Sequence, residues 1–259
     1  RRSQLQPGCC SNGAYGGMGK NKEKGVHELC QEMTRLETTP GSVEQKIADR
    51  YKMGLDSARL NAEGAAPVQA EVAALLGIGE RAGLTEAVAR LHHAVANPSF
   101  GVGVEADLMN SDVNALYISQ GGLGMGNRDY YLDAENESIR TAYREYPSTL
   151  FRLAGLAEEQ IPQAVEGVMH IETSLAEKAW SNVELRNIAA QYNPTPKAEF
   201  EKTYDAVDWA AYYRTMGIGD FGTIIVTTPT AIARANELLK TAPLEELRYY
   251  PAAQDLPPA

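Results

Sequence analysis

The stretch that most constrains this chain is a glycine-rich segment, Gln120 to Leu132, which has neither helical nor strand periodicity. Arg128 and Asp129 give it a forked donor and a carboxylate, and Tyr130 and Tyr131 add two large rings with polar tips. The segment therefore predicts a shaped loop that polar and aromatic contacts hold in place. Its glycines are Gly121, Gly122, Gly124 and Gly126.

Two phosphate-binding interpretations of this loop fail on residue type. Gly121 and Gly126 have the outer spacing of a P-loop, but Asn127 and Arg128 follow where that chemistry requires Lys and then Ser or Thr. The dinucleotide-binding pattern also fails, because the glycines at 122, 124 and 126 are not followed by a βαβ unit. A structural loop is the interpretation that remains.

Start and stop signals predict about eight helices. Ser42 and Gln45 form a capping box, and Thr85 is expected to cap a later helix. Asp208 caps a helix that Gly217 ends, whereas Pro147 is expected to kink or split another. Apolar stripes at helical spacing are expected to face a core; they comprise Val43, Ile47, Tyr51 and Leu55 in one helix, and Ile161, Val165, Val168, Leu175 and Trp180 in another.

Strand signals are fewer. Alternation from Phe100 to Glu105 and a β-rich run from Val113 to Ser119 predict a hairpin that turns at Asn110–Asp112. Thr223–Val226 predicts one further short strand. The expected fold is thus mainly α, a multi-helical lobe with a small β-hairpin and one further short strand.

Charge and hydropathy exclude several classes of function. The net charge of −10 and the absence of a basic cluster disfavour a nucleic-acid partner. No apolar run is long enough for a membrane span, and residues 1–30 lack the apolar core of a signal peptide. With 44% hydrophobic residues, the chain is expected to bury a globular core.

Metal-binding and catalytic patterns are missing from the sequence. A zinc peptidase of the His-Glu-x-x-His type places two imidazoles on one helical face with a glutamate as general base, and no such run occurs. The histidines lack ligand spacing, and the three cysteines suit neither a disulfide framework nor a zinc site. These residues are His27, His92, His93 and His170, with Cys9, Cys10 and Cys30.

Three segments, taken in order, carry a resemblance to a known family. Gly122 to Leu132 reads Gly-Leu-Gly-Met-Gly-Asn-Arg-Asp-Tyr-Tyr-Leu. It is similar to the Leu-Gly-Leu-Pro-Asp-Arg-Asp-Tyr-Tyr signature of the neprilysin and endothelin-converting-enzyme family of zinc metallopeptidases, in its bacterial oligoendopeptidase O type. Gly41 to Asp56 resembles the early helix of that family, and Trp180 to Pro194 resembles its Val-Glu-Leu-Arg-Asp…Tyr-Asn segment.

The resemblance implies a function. Residues 41–250 would form the helical amino-terminal domain of a zinc-dependent metalloendopeptidase, enclosing and size-gating the cavity in which peptides are cleaved. Residues 1–40 would be an irregular segment and residues 251–259 a tail. The partners would be peptide substrates and the carboxy-terminal catalytic domain of the same protein, and the location the cell envelope, the periplasm or the exterior. Zinc would belong to the full-length enzyme, and we expect this chain, lacking the catalytic half, to bind none and to be inactive alone.

No catalytic, metal-binding or substrate-binding residue is carried over, because the opening segment matches the family poorly. The family-signature residues are expected to fix the architecture of the lobe rather than touch the scissile bond. They are Arg128, Asp129, Tyr130, Tyr131, Arg186, Tyr192 and Asn193. The alternative is a stand-alone peptide-binding or scaffold module without catalytic activity.

Overall fold

A computed structural model describes residues 14–94 and 96–254 of the chain. The chain divides into two compact units, Arg1–Gly64 and Ala65–Ala259. The predicted boundaries near residues 40 and 250 are not tested by this division and stay a prediction. Cys9 and Cys10 lie outside the described residues, and Cys30 is half-buried and forms no disulfide with any described residue.

The described part of the first unit is helical: α1 spans Ala14–Met33, α2 Val43–Leu55 and α3 Ser57–Glu63. Residues 14–33, which fall within the segment expected to be irregular, form helix α1. Glycines at 16, 17 and 19 lower helix propensity, so the sequence did not predict this helix. Lys24 and Glu28 stabilise it as an i, i+4 ion pair with 3.7 Å between their charged atoms.

Helix α2 begins as predicted but buries a different face. The Ser42 hydroxyl accepts a hydrogen bond from the Gln45 amide at 3.1 Å, which satisfies one of the free amides of the first turn. The expectation that the apolar stripe lies in a core is wrong here, because Val43 is 66% exposed and Leu55 65%. The buried residue of α2 is Ala48. Periodicity identifies an apolar face of a helix but does not show whether another element covers that face.

The second unit combines nine α-helices with a small sheet among its described residues. Short 3-10 turns lie at Ala134–Asn136, Glu184–Arg186 and Ile188–Gln191. The helices are α4 Ala66–Leu76, α5 Ala82–His93, α6 Asp129–Leu132, α7 Glu137–Leu153, α8 Ile161–Ala176, α9 Lys197–Thr203, α10 Trp209–Met216, α11 Pro229–Thr241 and α12 Leu244–Gln254. The strands are β1 Phe100–Asp107, β2 Asn110–Gln120, β3 Pro194–Pro196 and β4 Thr223–Val226.

The sheet has the strand order β1-β2-β4-β3. Strands β1 and β2 form the expected antiparallel hairpin, although its turn lies at Leu108–Met109, earlier than predicted. Strand β4 has the predicted bounds; it pairs parallel with β2 and antiparallel with β3. The three-residue strand β3 had no periodic signal because its sequence is Pro-Thr-Pro.

Helix α8 is the centre of the second unit, since it packs against α6, α7, α11 and α12. Eleven of its 16 residues are buried, which is typical of a helix enclosed on most sides. Ile161, Val165, Val168 and Leu175 belong to the core as predicted, but the helix ends at Ala176, before Trp180. A second core lies between the sheet and α5, α10 and α11.

Local signals predicted some helix boundaries better than others. Helix α10 begins after the Asp208 cap and ends at Gly217, whose φ of 68° is left-handed, as expected. Thr85 does not cap α5, because the helix begins earlier, at Ala82, and the Thr85 hydroxyl accepts from the Asp208 amide instead. Pro147 does not split α7, which continues to Leu153.

Helix α12 extends further toward the carboxyl terminus than the sequence predicts. Residues 251–254 of the segment expected to be a tail belong to helix α12, and Ala252 and Ala253 are buried; residues 255–259 lie outside the described residues. Pro251 lies inside this helix and is buried. Among the described residues, no helix combines the length and apolar character that crossing a membrane requires. The mainly α fold with a small sheet is confirmed.

Candidate functional site

The glycine-rich loop leaves the end of β2 and runs into the short helix α6. Gly122 has φ 75° and Gly126 has φ 76°, conformations that other residues adopt only with strain. The loop has its own small apolar cluster, in which Tyr131 packs with Met169 and Ala176 of α8. The loop is therefore seated on the central helix.

A fully buried carboxylate, Glu172 of α8, lies beneath the loop. The Tyr131 hydroxyl donates to its Oε2 at 2.7 Å, and the Tyr143 hydroxyl donates to its Oε1 at 3.0 Å. The side-chain amide of Gln254 also donates to Oε1, at 2.5 Å. One acceptor group thus joins the loop to α7, α8 and α12.

Tyr250 of α12 makes a second connection to the loop. Its hydroxyl donates to the Gly122 carbonyl at 2.8 Å and accepts from the Ser99 amide at 2.8 Å. A Cβ atom at position 122 would overlap that hydroxyl, and one at Gly124 would overlap the hydroxyl of Tyr143. The glycines at 122 and 124 therefore permit an approach that no other residue allows.

Burial controls the titration of this cluster. Removal of Glu172 from water raises its pKa to about 7, although hydrogen bonds from Tyr131, Tyr143 and Gln254 oppose the rise. Burial, and then the nearby Glu172 carboxylate, raise the pKa of Tyr131 and of Tyr143. The tyrosines therefore stay protonated as donors.

The family-signature residues in the loop have three different environments. Tyr131 is buried, whereas Tyr130 is 37% exposed and contributes its carbonyl oxygen as an acceptor for Arg140. Arg128 donates to the Ala179 carbonyl at 2.8 Å, so it connects the loop to the turn that follows α8. Its charged contacts are long, with 4.0 Å between Arg128 Nε and Asp129 Oδ1.

The remaining signature residues lie after α8, and two of them hold the sheet. Asn193 donates from its side chain to the Val226 carbonyl at 2.9 Å and so extends the pairing of β4. Tyr192 donates to the Asp107 carboxylate at the end of β1, at 3.0 Å. Arg186 is exposed, and its side chain has no hydrogen bond or ion pair to any described residue. A structural role for all seven residues stays a prediction.

A cleft of about 370 Å³ opens over the glycine loop. Its wall includes Asn97, Gln120, Gly121, Gly122 and Gln254, so the lining is neutral and rich in backbone and amide groups. The Gln120 amide is already engaged, because it donates to the Trp180 carbonyl and accepts from the Trp180 amide. Such a lining suits uncharged polar chemistry, not phosphate.

The histidines do not converge. His92 is buried; its Nε2–H donates to the Phe100 carbonyl at 2.8 Å, and its Nδ1 accepts from the Tyr212 hydroxyl at 2.6 Å. Burial lowers its pKa to about 4. His170 is exposed and pairs with Glu246. Among the described residues, no group of three or more His, Cys, Asp or Glu side chains is placed to hold a metal ion, so these residues do not fit a zinc site.

Four residues of this cluster were not predicted from the sequence, namely Glu172, Tyr143, Gln254 and Tyr250. A signal for one of them was present, since Glu172 falls four residues after Val168 on the buried stripe of α8. A carboxylate on an apolar stripe indicates a partnered buried charge. Its partners carried no local signal, because they lie far away in the chain.

Comparison with known proteins places this sequence beside peptidases. A family model described as Peptidase family M13 matches residues 2–254. Endothelin-converting enzyme 1 from Bos taurus is 33% identical over 126 residues, which are 48% of this chain and 17% of the relative. Neutral endopeptidase from Lactobacillus helveticus is 23% identical over 198 residues, which are 76% of this chain and 31% of the relative. The matched region is less than a third of each of these curated relatives.

Two solved structures share the fold. The zinc metalloprotease Zmp1 of Mycobacterium tuberculosis, solved with an inhibitor, superposes with a TM-score of 0.88 at 21% identity, covering 98% of this chain and 39% of Zmp1. PepO from Lactobacillus rhamnosis gives a TM-score of 0.74 at 16% identity, covering 92% of this chain and 38% of PepO. At these identities the likeness establishes the fold alone.

Substitution of Gly122 tests the close approach of Tyr250. Gly122→Ala adds both a positive-φ strain and a clash with the Tyr250 hydroxyl, whereas Gly126→Ala adds the strain alone because nothing lies within 4 Å of its Cβ position. We expect Gly126→Ala to lower the free energy of unfolding by about 1 kcal/mol and Gly122→Ala by about 3 kcal/mol. Urea denaturation measures both, and equal losses would contradict the close approach.

Glu172 and His92 are expected to give opposite pH dependences of stability. Glu172 binds its proton more tightly in the folded chain, so its contribution to stability falls as pH rises from about 4.5 to about 7. His92 binds its proton less tightly in the folded chain, so its contribution rises between pH about 4 and about 6.5. Each of these changes in the free energy of unfolding amounts to about 3 kcal/mol. Because they have opposite signs, the two changes nearly cancel in the native chain.

Single substitutions separate the two contributions. Between pH 4.5 and 6.5, the unfolding free energy of Glu172→Gln relative to the native chain should rise with pH, and that of His92→Gln should fall. Glu145→Gln, at an exposed position on α7, is the control and should show neither trend. A Glu172→Gln protein that follows the native profile throughout would disprove the raised pKa.

Proposed function

This chain belongs to peptidase family M13, and from that premise we propose that it forms the amino-terminal helical domain of a zinc-dependent metalloendopeptidase. In this role it encloses the active-site cavity and limits by size which peptides enter. The complete enzyme acts on peptides, in the cell envelope or outside the cell. The observation that carries the proposal is the family match over residues 2–254.

The relatives support the proposed chemistry through their names. They are an endothelin-converting enzyme, a neutral endopeptidase and a zinc metalloprotease, and all three are longer than the region they share with this chain. The catalytic zinc and the residues that bind it are then supplied by a carboxy-terminal catalytic domain of the same protein. Because the described residues of this chain do not fit a zinc site, no step of hydrolysis is assigned to them.

The architecture supports a role as a wall around the cavity. A structure that excludes folded proteins must resist deformation, and the central helix α8 is enclosed by four other helices. The loop at Gln120–Leu132 is held at Glu172 and again at Tyr250, so that it keeps one shape. Buried, fully partnered polar networks of this kind specify a single arrangement.

A stand-alone peptide-binding module is the second candidate. The observation in its favour is the neutral cleft of about 370 Å³ beside the loop, whose amide and backbone groups match peptide chemistry. This candidate requires peptide binding without any cleavage in every form of the protein. The domain proposal instead predicts cleavage once the catalytic domain is present.

Zinc content and peptidase activity distinguish the proposals. For the purified 259-residue chain we expect no stoichiometric zinc and no chelator-sensitive cleavage of an unstructured peptide. Bound zinc with cleavage that a chelator abolishes would overturn the assignment of catalysis to another domain. Elemental analysis and a fluorogenic peptide assay make both measurements.

Size gating has its own test in a form of the protein that carries the catalytic domain. A short unstructured peptide should be cleaved, whereas the same segment in an exposed loop of a folded carrier protein should resist cleavage. Heat-unfolding of the carrier before the assay controls for the sequence context. Equal rates on the free and the carrier-held segment would contradict gating, and a form that never cleaves either would favour the binding module.

A further inference from the structure

Strand β1 is one edge of the sheet, and β2 is its partner there. Residues 103–106 of β1 are all exposed, and Val104 is 61% exposed. An edge strand presents unpaired backbone donors and acceptors to whatever lies beside it. The open side of β1 is therefore available for pairing.

The register identifies the backbone groups that face outward. Phe100 pairs with Gln120, yet the Phe100 amide donates to Pro98 and the Gln120 amide donates to Thr228, so this pair exchanges no hydrogen bonds. Hydrogen-bonded and non-bonded pairs alternate along an antiparallel ladder. Val102 and Val104 are therefore also non-bonded positions, and their N–H and C=O groups point away from β2.

Two of the usual protections of an edge strand, a lysine and a proline, are missing from β1. Its sequence, Phe-Gly-Val-Gly-Val-Glu-Ala-Asp, contains neither Lys nor Pro, which natural proteins place on edges to block pairing. The one irregularity, between Ala106 and Asp107, lies at the far end near the hairpin turn. Two outward positions, Val102 and Val104, are left open in regular strand geometry.

A second cleft, of about 290 Å³, adjoins this edge. Gly101, Gly103 and Glu105 lie on one face of β1 and line the cleft together with Tyr117. Gly103 provides an open floor, because a Cβ there would meet nothing within 4 Å. Glu105 is exposed and has no ion pair with any described residue. The cleft can thus accept a side chain and offers it a negative charge.

We propose that β1 binds an extended peptide segment by strand addition. The peptide main chain exchanges hydrogen bonds with Val102 and Val104, and one of its side chains enters the cleft over Gly103. A lysine or arginine of the peptide lies against Glu105, in keeping with the net charge of −10. This site lies outside the proposed cavity-enclosing role and needs neither zinc nor cleavage.

A proline at an outward position tests the backbone pairing. Val104→Pro removes one outward N–H and leaves the ladder to β2 intact, since proline is tolerated on edge strands whose N–H faces solvent. The matched control, Val104→Thr, keeps the donor and the strand propensity. The probe is a fluorescein-labelled peptide of alternating threonine and lysine, and the readout is fluorescence anisotropy on the purified 259-residue chain.

We expect Val104→Pro to weaken binding by about tenfold and Val104→Thr by about twofold or less. Gly103→Ala should also weaken binding, because its Cβ enters the cleft and meets nothing within 4 Å inside the folded chain. Thermal melting of each variant shows whether the fold is kept. Binding by a folded Val104→Pro protein that equals native binding would overturn the proposal, as would failure of the native chain to bind the probe.

Two further measurements identify the occupant. Glu105→Gln should weaken binding of the lysine peptide by about threefold but not that of the same peptide with glutamine in place of lysine. An equal effect on both peptides would remove the basic-peptide preference. Sedimentation velocity of the chain alone gives the last test: dimers that Val104→Pro abolishes would assign the edge to a second copy and overturn the peptide assignment. None of these outcomes depends on peptidase activity.

Discussion

The burial of one carboxylate, Glu172, is the constraint on which the second unit depends. A buried carboxyl group is tolerated when donors converge on it, and Tyr131, Tyr143 and Gln254 each supply one. These donors come from the loop, from α7 and from α12, so satisfying one side chain fixes three elements against α8. The glycines of the loop follow from this arrangement, because a side chain at 122 or 124 would occupy the space of a tyrosine hydroxyl.

The elements predicted correctly from the sequence are those whose bounds depend on residues close by in the chain. Helix α10 was recovered with both ends because Asp208 and Gly217 act within one turn, and β4 was recovered from its own β-branched residues. Strand β3 was not, because its Pro-Thr-Pro sequence forms a strand only by pairing with β4. In helix α2 the apolar face was predicted from its periodicity, but the exposure of that face was not.

The candidate site was predicted in part for the same reason. The loop was identified as the shaped segment, and Tyr131 proved to be one of its buried contacts. Arg128 and Asp129 were identified as polar groups of the loop, but their charged atoms lie 4.0 Å apart, and Arg128 instead donates to the Ala179 carbonyl across 51 residues of sequence. Contacts between residues so far apart in the chain produce no periodic pattern in the sequence. The family match indicates the class of chemistry, which packing alone does not reveal. The open edge of β1 is a proposed binding surface, and its support in the structure does not depend on the family match.

Amide hydrogen exchange in a Glu172→Leu protein tests most directly whether this carboxylate holds the loop. We expect amides of Gln120–Leu132, including that of Met125, which donates to the Tyr131 hydroxyl, to exchange faster than in the native chain. Amides of α8 near Val168, at the centre of the core, should keep most of their protection and serve as the internal reference. Unchanged protection in the loop, or an equal loss at Val168, would contradict the account.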